Sequence, residues 1–85
     1  MRVMIPGPLR SYTTTAWVEA SGATLAAVLD DLDRQYPGIR FRMVDEQQRV
    51  RPHVRMFVDG EQVFDLALEL RRTDELVIVQ ALSGG

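Results

Sequence analysis

The chain has 85 residues, of which 46% are hydrophobic and 26% charged, and its formal net charge is −2 at pH 7. This length fits one small domain and excludes a two-domain enzyme, and the slight acidic excess argues against a nucleic-acid-binding surface. The chain has no cysteine, and all 10 of its basic residues are arginine. These two absences exclude a disulfide scaffold, thiol catalysis, a cysteine metal site and Schiff-base chemistry on lysine.

The N-terminal segment lacks the features of a targeting sequence. Pro6 and Pro8 interrupt its apolar residues, so there is no hydrophobic region typical of a signal peptide. Nowhere does the chain contain about 18 consecutive apolar residues, which a membrane-spanning helix would need. We therefore expect a soluble cytoplasmic protein that does not insert into a membrane.

Two strands are predicted before the main helix. Val3 and Ile5 alternate with less apolar neighbours and predict a first strand, which Pro6-Gly7-Pro8 ends because proline lacks the amide that a ladder needs. The threonine-rich residues 13–20 predict a second strand. Gly7 to Tyr12 would form the loop of an antiparallel hairpin between them.

The clearest element is an amphipathic helix that ends at Pro37-Gly38. Ser21 or Thr24 could cap its first turn through a side-chain hydroxyl. Its charged outer positions, such as Asp31 and Asp33, are expected to be solvated. Its apolar residues recur at helical spacing: Leu25, Val28, Leu29, Leu32 and Tyr36.

Residues 39–50 allow two interpretations. Ile39, Phe41 and Met43 alternate with arginines, which favours an extended arm that turns at residues 45–48 and returns. A short helical turn is the alternative.

The last third of the chain predicts three strands. Residues 54–58 form one, Asp59-Gly60 predicts a tight hairpin turn with positive φ, and Glu61 to Phe64 return. The apolar run at residues 76–79 predicts a central strand buried on both faces. The fold class predicted is α+β: a mixed four- to five-stranded sheet with one main helix packed on one face.

Residues 1–80 are predicted to form this domain, and residues 81–85 a flexible C-terminal tail ending in Gly84-Gly85. Two glycines without a Cβ can enter a narrow active site of another protein, and five extended residues reach roughly 17 Å. A free carboxylate is a poor electrophile, and the chain lacks the glycine-rich nucleotide-binding motifs that could activate it. A frayed chain end is the alternative.

The predicted order of elements, the hairpin sequence at residues 54–61, the segment 73–79 and the terminal Gly84-Gly85 together resemble the ubiquitin-like β-grasp sulfur carriers. This family includes the molybdopterin-synthase small subunit, the thiamine sulfur carrier and carriers of cysteine and other sulfur-metabolite pathways. The resemblance covers essentially the whole chain. Thiamine carriers typically lack an insertion like residues 41–52, which favours the molybdopterin-like or cysteine-type branch.

The resemblance implies a carrier with no catalytic residue, metal or bound cofactor of its own. An E1-like adenylating enzyme would use ATP to activate Gly85, and a sulfur-donor enzyme would convert it to a thiocarboxylate. A sulfur-acceptor synthase would then receive the sulfur. By position, Gly84, Ser83 and Leu82 would give the tail access to these enzymes, and Arg10 would help dock partners. A free monomer is expected, with no nucleic acid or membrane partner.

Other candidate residues are open to more than one interpretation. Phe57, if it lies on an uncovered sheet face, would form part of a partner-binding patch. His53 has no companion ligand or nucleophile in view and is expected at the surface. The arginine-rich segment 40–55 could meet an acidic partner surface, remain solvated, or bind RNA, although the acidic total disfavours RNA.

The function predicted is that of a sulfur carrier acting in a molybdopterin-like or cysteine-type pathway. A ubiquitin-like modifier joined to target lysines through Gly85 and a non-catalytic β-grasp interaction module are the alternatives. Since the chain has no lysine, an activated copy could not form lysine-linked chains with another copy.

Overall fold

The computed structural model describes residues 1–71 and 74–81. Within them the chain forms five strands, three α-helices and one 3₁₀ turn at Gly7–Leu9. The strands are β1 (Arg2–Met4), β2 (Trp17–Glu19), β3 (Val54–Val58), β4 (Glu61–Val63) and β5 (Glu75–Gln80); the helices are α1 (Arg10–Thr13), α2 (Leu25–Gln35) and α3 (Ile39–Met43).

The strands form one mixed sheet in the order β2-β1-β5-β3-β4. β5 is parallel to β1 and antiparallel to β3, while the two outer pairs are antiparallel hairpins. The last strand of the chain therefore occupies the centre of the sheet, as its apolar run predicts. The predicted fold class, a mixed sheet with one main helix on one face, is confirmed.

The core lies between one face of the sheet and the helices α2 and α3. Fully burying an aliphatic side chain contributes about 1.5–3 kcal/mol, so this layer holds the small domain together. The core residues with no measurable exposure are Val3, Ile5, Leu25, Val28, Leu29, Leu32, Ile39, Met43, Met56, Leu76 and Ile78. Four of the five positions in the predicted helical stripe belong to this set, and the fifth, Tyr36, is half-buried.

The prediction that β5 is buried on both faces is wrong. Leu76 and Ile78 face the helices and are fully buried, whereas Val77 is half-buried and Val79 is 41% exposed on the opposite face. The reason is that the helices lie against one face alone, so the other face of the central strand stays open.

The predicted loop at Gly7 to Tyr12 is also wrong, because it contains the 3₁₀ turn and most of α1. Proline at the start of a turn needs no amide donor, which suits Pro8 at the beginning of this helical segment. Thr14 ends α1 in a left-handed conformation with φ of 62°. The second strand is consequently shorter than predicted, since Thr13 belongs to the helix and Trp17–Glu19 alone form β2.

The extended arm proposed for residues 39–50 is wrong, and the helical alternative holds for Ile39–Met43. Gly38 adopts a φ of 98°, and the Asp33 carboxylate accepts hydrogen bonds from the backbone N–H groups of Gly38 and Arg40, both at 3.1 Å. Asp33 thus holds the start of α3 instead of being simply solvated. The helical turn buries Ile39 and Met43 and leaves Phe41 57% exposed.

After α3 the chain turns and returns, as the pattern predicts. Val44 and Val50 form an antiparallel bridge, and the Asp45 carboxylate accepts the N–H groups of Gln47 and Arg49 at 2.8 and 3.1 Å. The hairpin turn between β3 and β4 is confirmed as well, with φ of 49° at Asp59 and 88° at Gly60.

Two side chains donate hydrogen bonds to backbone carbonyls of the edge strand β2. The Thr15 hydroxyl donates to the Trp17 carbonyl at 2.6 Å, and the Gln35 side-chain amide donates to the Glu19 carbonyl at 3.0 Å. An unpaired edge is a template on which another chain can add a strand. These two bonds make β2 a poor edge for such pairing.

No helix within residues 1–71 and 74–81 has the length and hydrophobicity required to cross a bilayer. The longest, α2, has 11 residues.

The two cap candidates of α2 differ in the structure, which allows a matched test. The Thr24 hydroxyl accepts the Ala27 N–H at 3.2 Å, whereas the Ser21 hydroxyl caps nothing. Thr24→Ala should lower the free energy of unfolding by about 1 kcal/mol, because an amide of the first turn loses its acceptor. Ser21→Ala should change it by less than about 0.5 kcal/mol. Urea unfolding followed by circular dichroism measures both; equal losses would contradict the assignment of the cap.

The turn at Asp45 should make the free energy of unfolding depend on pH in the acidic range. The Arg49 N–H that donates to the carboxylate holds the pKa of Asp45 below its ordinary value, helped by the Gln47 N–H and the charges of Arg49 and Arg51. A depressed folded-state pKa stabilises the fold above the unfolded pKa, about 4, and this contribution is lost as pH falls below it. Urea midpoints of wild type and Asp45→Asn should therefore differ at pH 7 and converge by pH 2.

Glu46→Gln is the matched control, since its side chain makes no hydrogen bond among the described residues. A gap between wild type and Asp45→Asn that stays constant across this pH range would contradict the role of the carboxylate.

Candidate functional site

The root of the tail is held by the sheet. Gln80, the last residue of β5, pairs with Val54, and the Ala81 N–H donates to the His53 carbonyl at 2.8 Å. The chain thus leaves the domain at the C-terminal end of the central strand β5, between β1 and β3. The predicted tail residues Leu82, Ser83, Gly84 and Gly85 lie outside the described residues, so the roles assigned to them stay predictions.

A groove of about 370 Å³ lies beside this exit point. It is bounded by the 3₁₀ turn, by α3, by the residues that precede β3 and by the end of β5. Its lining combines apolar residues with two arginines: Pro8, Leu9, Phe41, Arg42, Arg51, His53 and Gln80.

Arg51 is fixed at the groove by two contacts with Phe41. Its Nε donates to the Phe41 carbonyl at 2.8 Å, and its guanidinium lies 4.6 Å from the centre of the Phe41 ring. A cation over an aromatic face gains electrostatic energy, and the hydrogen bond sets the direction of the side chain. The helical form of residues 39–43, which turns Phe41 outward, creates this arrangement.

Gln80 brings an unsatisfied acceptor to the same place. Its side-chain oxygen Oε1 is buried and has no hydrogen-bond partner among the described residues. A buried acceptor without a partner costs free energy, and most such atoms are satisfied in folded proteins. Because this oxygen is buried, a donor from outside could reach it only if Gln80 or its neighbours moved.

Arg10 and Phe57, the two predicted partner-binding residues, belong to different parts of the surface. Arg10 is exposed at the start of α1, and its Nε donates to the Ile5 carbonyl at 3.0 Å. Phe57 is half-buried on β3, in register with Val77 of β5. The described contacts do not bring the two together.

Phe57 is the end of an apolar row across the open face of the sheet, which we call the sheet-face row. Val77 pairs with Phe57 on one side and with Met4 on the other, and Met4 pairs with Trp17. The four side chains, Trp17, Met4, Val77 and Phe57, are all half-buried and come from four different strands. The Arg2 guanidinium lies 4.2 Å from the centre of the Trp17 ring and extends the row at its edge.

Sequence reasoning anticipates Phe57 but misses the row, because its register depends on which strands become neighbours. The arginines of the groove are noticed as a basic segment, but nothing in the local pattern places Arg51 beside the exit of the tail. His53, expected at the surface, is half-buried in the groove, where its carbonyl anchors Ala81. Within the part of the chain that the structure describes, no three His, Asp or Glu side chains cluster as a metal site would require.

Comparison with known proteins extends this description. The ThiS family model matches residues 3–85. Sulfur carrier protein CysO of Mycobacterium tuberculosis (strain ATCC 25618 / H37Rv) is 37% identical over 89 residues, covering 98% of this chain and 96% of the relative, and CysO of Mycobacterium bovis matches equally.

Solved structures show the same fold. CysO from the Amycolatopsis orientalis BexX/CysO complex is 34% identical, with a TM-score of 0.90 and coverage of 99% of this chain and 98% of that chain. Small archaeal modifier protein 1 of Haloferax volcanii, at 24% identity and a TM-score of 0.79, covers 100% and 98% of the two chains and shows the fold alone. The family match, the full-length relatives and the sheet topology agree: the chain belongs to the ThiS family of ubiquitin-like β-grasp sulfur carriers.

Proposed function

We propose that this chain carries sulfur as a thiocarboxylate on Gly85 and delivers it in a cysteine-type pathway. The observation that supports this most strongly is the match to the ThiS family, which extends from residue 3 through Gly85. The 37% identity with CysO over nearly the whole of both chains favours the cysteine-type branch over the molybdopterin-like one. The chain is a substrate of partner enzymes and not itself an enzyme.

The chemistry proceeds in two displacements at the terminal carboxyl group. An oxygen of the Gly85 carboxylate attacks the α-phosphorus of ATP in an E1-like enzyme, and pyrophosphate leaves. Sulfur at the level of hydrosulfide, supplied by a donor enzyme, then attacks the acyl carbon, and AMP leaves with the C–O bonding electrons. Activation is required because an ionised carboxylate is a poor electrophile at pH 7.

The absence of cysteine and lysine suits such a carrier. Without a thiol, the acyl-adenylate meets no competing sulfur nucleophile on the same chain. Without lysine, neighbouring copies offer no side-chain amine that could be acylated. We therefore expect the activated terminus to survive until a partner enzyme accepts it. Because activation consumes ATP, we place the reaction in the cytoplasm.

The sheet-face row is the surface that we assign to docking on these enzymes, together with the exposed Arg10. Half-buried apolar residues at the centre of an interface supply most binding free energy once a partner excludes water from them. That CysO of Amycolatopsis orientalis was solved in a complex with BexX supports a carrier that works through protein partners.

Intact-mass measurement tests the carrier function. Incubation with the E1-like enzyme, ATP and a sulfur source should replace one oxygen by one sulfur through acyl displacement, adding about 16 Da. Deletion of Gly85 should abolish the gain while thermal unfolding stays unchanged, because Gly85 lies after the last strand. An unchanged mass in the full chain would overturn the proposal. Gly-Gly remnants on lysines of other proteins, with no stable thiocarboxylate, would support the modifier instead.

The sheet-face row can be tested with two phenylalanines. Phe57→Ser should raise the KM for the carrier in adenylation about tenfold, since an interface anchor contributes more than about 1.4 kcal/mol. Phe64→Ser is the matched control, because Phe64 is 74% exposed and lies outside the row. We expect its KM to stay within about twofold of wild type. Equal effects of the two substitutions, measured by pyrophosphate exchange, would refute docking through the row.

A further inference from the structure

Charge is distributed unevenly along the central strand. The end at which β5 begins is acidic, and there the Glu75 N–H donates to the Asp59 carboxylate at 2.9 Å. Six residues of strand, about 20 Å, separate it from the exit of the tail. The acidic end carries Asp59, Glu61, Asp74 and Glu75, with Arg2 paired to Glu75 at 3.3 Å, whereas the tail end carries Arg42, Arg51 and Arg55.

We call Arg42, Arg51 and Arg55 the arginine collar. Arg42 and Arg51 line the groove on the helix side of the exit. Arg55 pairs with Val79, one residue before the end of β5, and is exposed on the open face. The collar therefore flanks the root of the tail from both faces of the sheet.

None of the collar arginines has a carboxylate within 4.0 Å among the described residues, although four other cationic groups do: Arg2, Arg34, Arg40 and the N-terminal amine. The charge of Arg51 does reach Asp45, whose pKa it helps to lower, but the three arginines form no ion pair among the described residues of a chain whose net charge is −2. A partner of opposite charge would therefore gain Coulomb energy at this end of the sheet.

Arg51 differs from a freely solvated side chain because its direction is fixed. Its Nε is already used on the Phe41 carbonyl, so its two terminal nitrogens remain to bind a carboxylate. An acidic peptide segment would supply side-chain carboxylates for the collar arginines.

We propose that the arginine collar and its groove bind an acidic segment at the mouth of the enzyme that receives the tail. The identity of the protein that supplies the acidic segment rests on the proposed function. The affinity of the collar for an acidic peptide does not depend on that function. Attraction between the collar and an acidic segment beside the active-site entrance would orient the carrier so that its C-terminal tail points toward the enzyme. It would act over the Debye length, about 30 Å at 10 mM salt and about 8 Å at 150 mM.

The binding test uses hexaglutamate as the probe and the full chain labelled with ¹⁵N. At 10 mM salt, amide shifts should be confined to residues 40–55 and 80–81, and binding should weaken at 150 mM. Arg55→Gln, which removes a side chain with no described hydrogen bond, should weaken binding about two- to fivefold, and Arg42→Gln should do the same. Arg71→Gln makes the same charge change near the acidic end and should have no effect.

Three outcomes of this titration would overturn the proposal. The first is the absence of localised shifts with hexaglutamate at 10 mM salt. The second is an equal effect of Arg71→Gln and Arg55→Gln. The third is tighter binding of hexauridylate than of hexaglutamate at the same residues, which would assign the collar to a nucleic acid instead of an acidic protein.

Sulfuration assays separate this proposal from the carrier function. With the activating enzyme, Arg55→Gln and Arg42→Gln should raise KM about two- to fivefold at low salt and leave kcat unchanged. Deletion of Gly85 should abolish the mass gain whatever the salt. Collar variants with a wild-type KM at 10 mM salt would refute the collar and leave the carrier function intact. Loss of sulfuration by full-length wild type would refute the carrier function, while the peptide titration would still report on the collar.

Discussion

The pairing of β5 between β1 and β3 is the constraint on which the rest of the molecule depends. A strand in the centre of a sheet uses its backbone hydrogen bonds on both sides, so its position is hard to displace. Because β5 is also the last described element, the chain leaves the domain from the middle of the sheet, with Ala81 hydrogen-bonded to His53. The body thus presents the tail from a rigid root and not from a fraying edge.

A carrier of this kind needs no catalytic group of its own, and the folded domain has two surfaces that could serve binding. The helices cover one face of the sheet and bury the core, which leaves the other face open with the sheet-face row on it. The groove and the arginine collar add charge where the tail emerges. Recognition and presentation are then tasks of the folded body, whereas bond making belongs to the enzymes of a ThiS-family carrier.

Elements whose residues satisfy one another locally were predictable. The apolar stripe of α2 needs no information from distant residues, and Asp59-Gly60 specifies its turn through backbone conformation alone. The local sequence left Ser21 and Thr24 as cap candidates, and the structure selects Thr24. The errors occur where tertiary contacts override a local pattern. Alternation at residues 39–43 suggests a strand, but Asp33, seven residues before Arg40, accepts the amides that start α3. The apolar run of β5 suggests burial on both faces, but among residues 1–71 and 74–81 the helices that bury the core all lie against the other face.

By itself, the sequence determined the fold class, the central place of the last strand and the terminal diglycine on which the carrier function is proposed. These follow from periodicity, turn chemistry and family resemblance, all of which are properties of consecutive residues. The tertiary structure alone decided that Trp17, Met4, Val77 and Phe57 form one row and that Arg51 stands beside the exit of the tail. Such neighbours come from strands and turns far apart in the chain, so their register is settled only when the sheet assembles and the core closes.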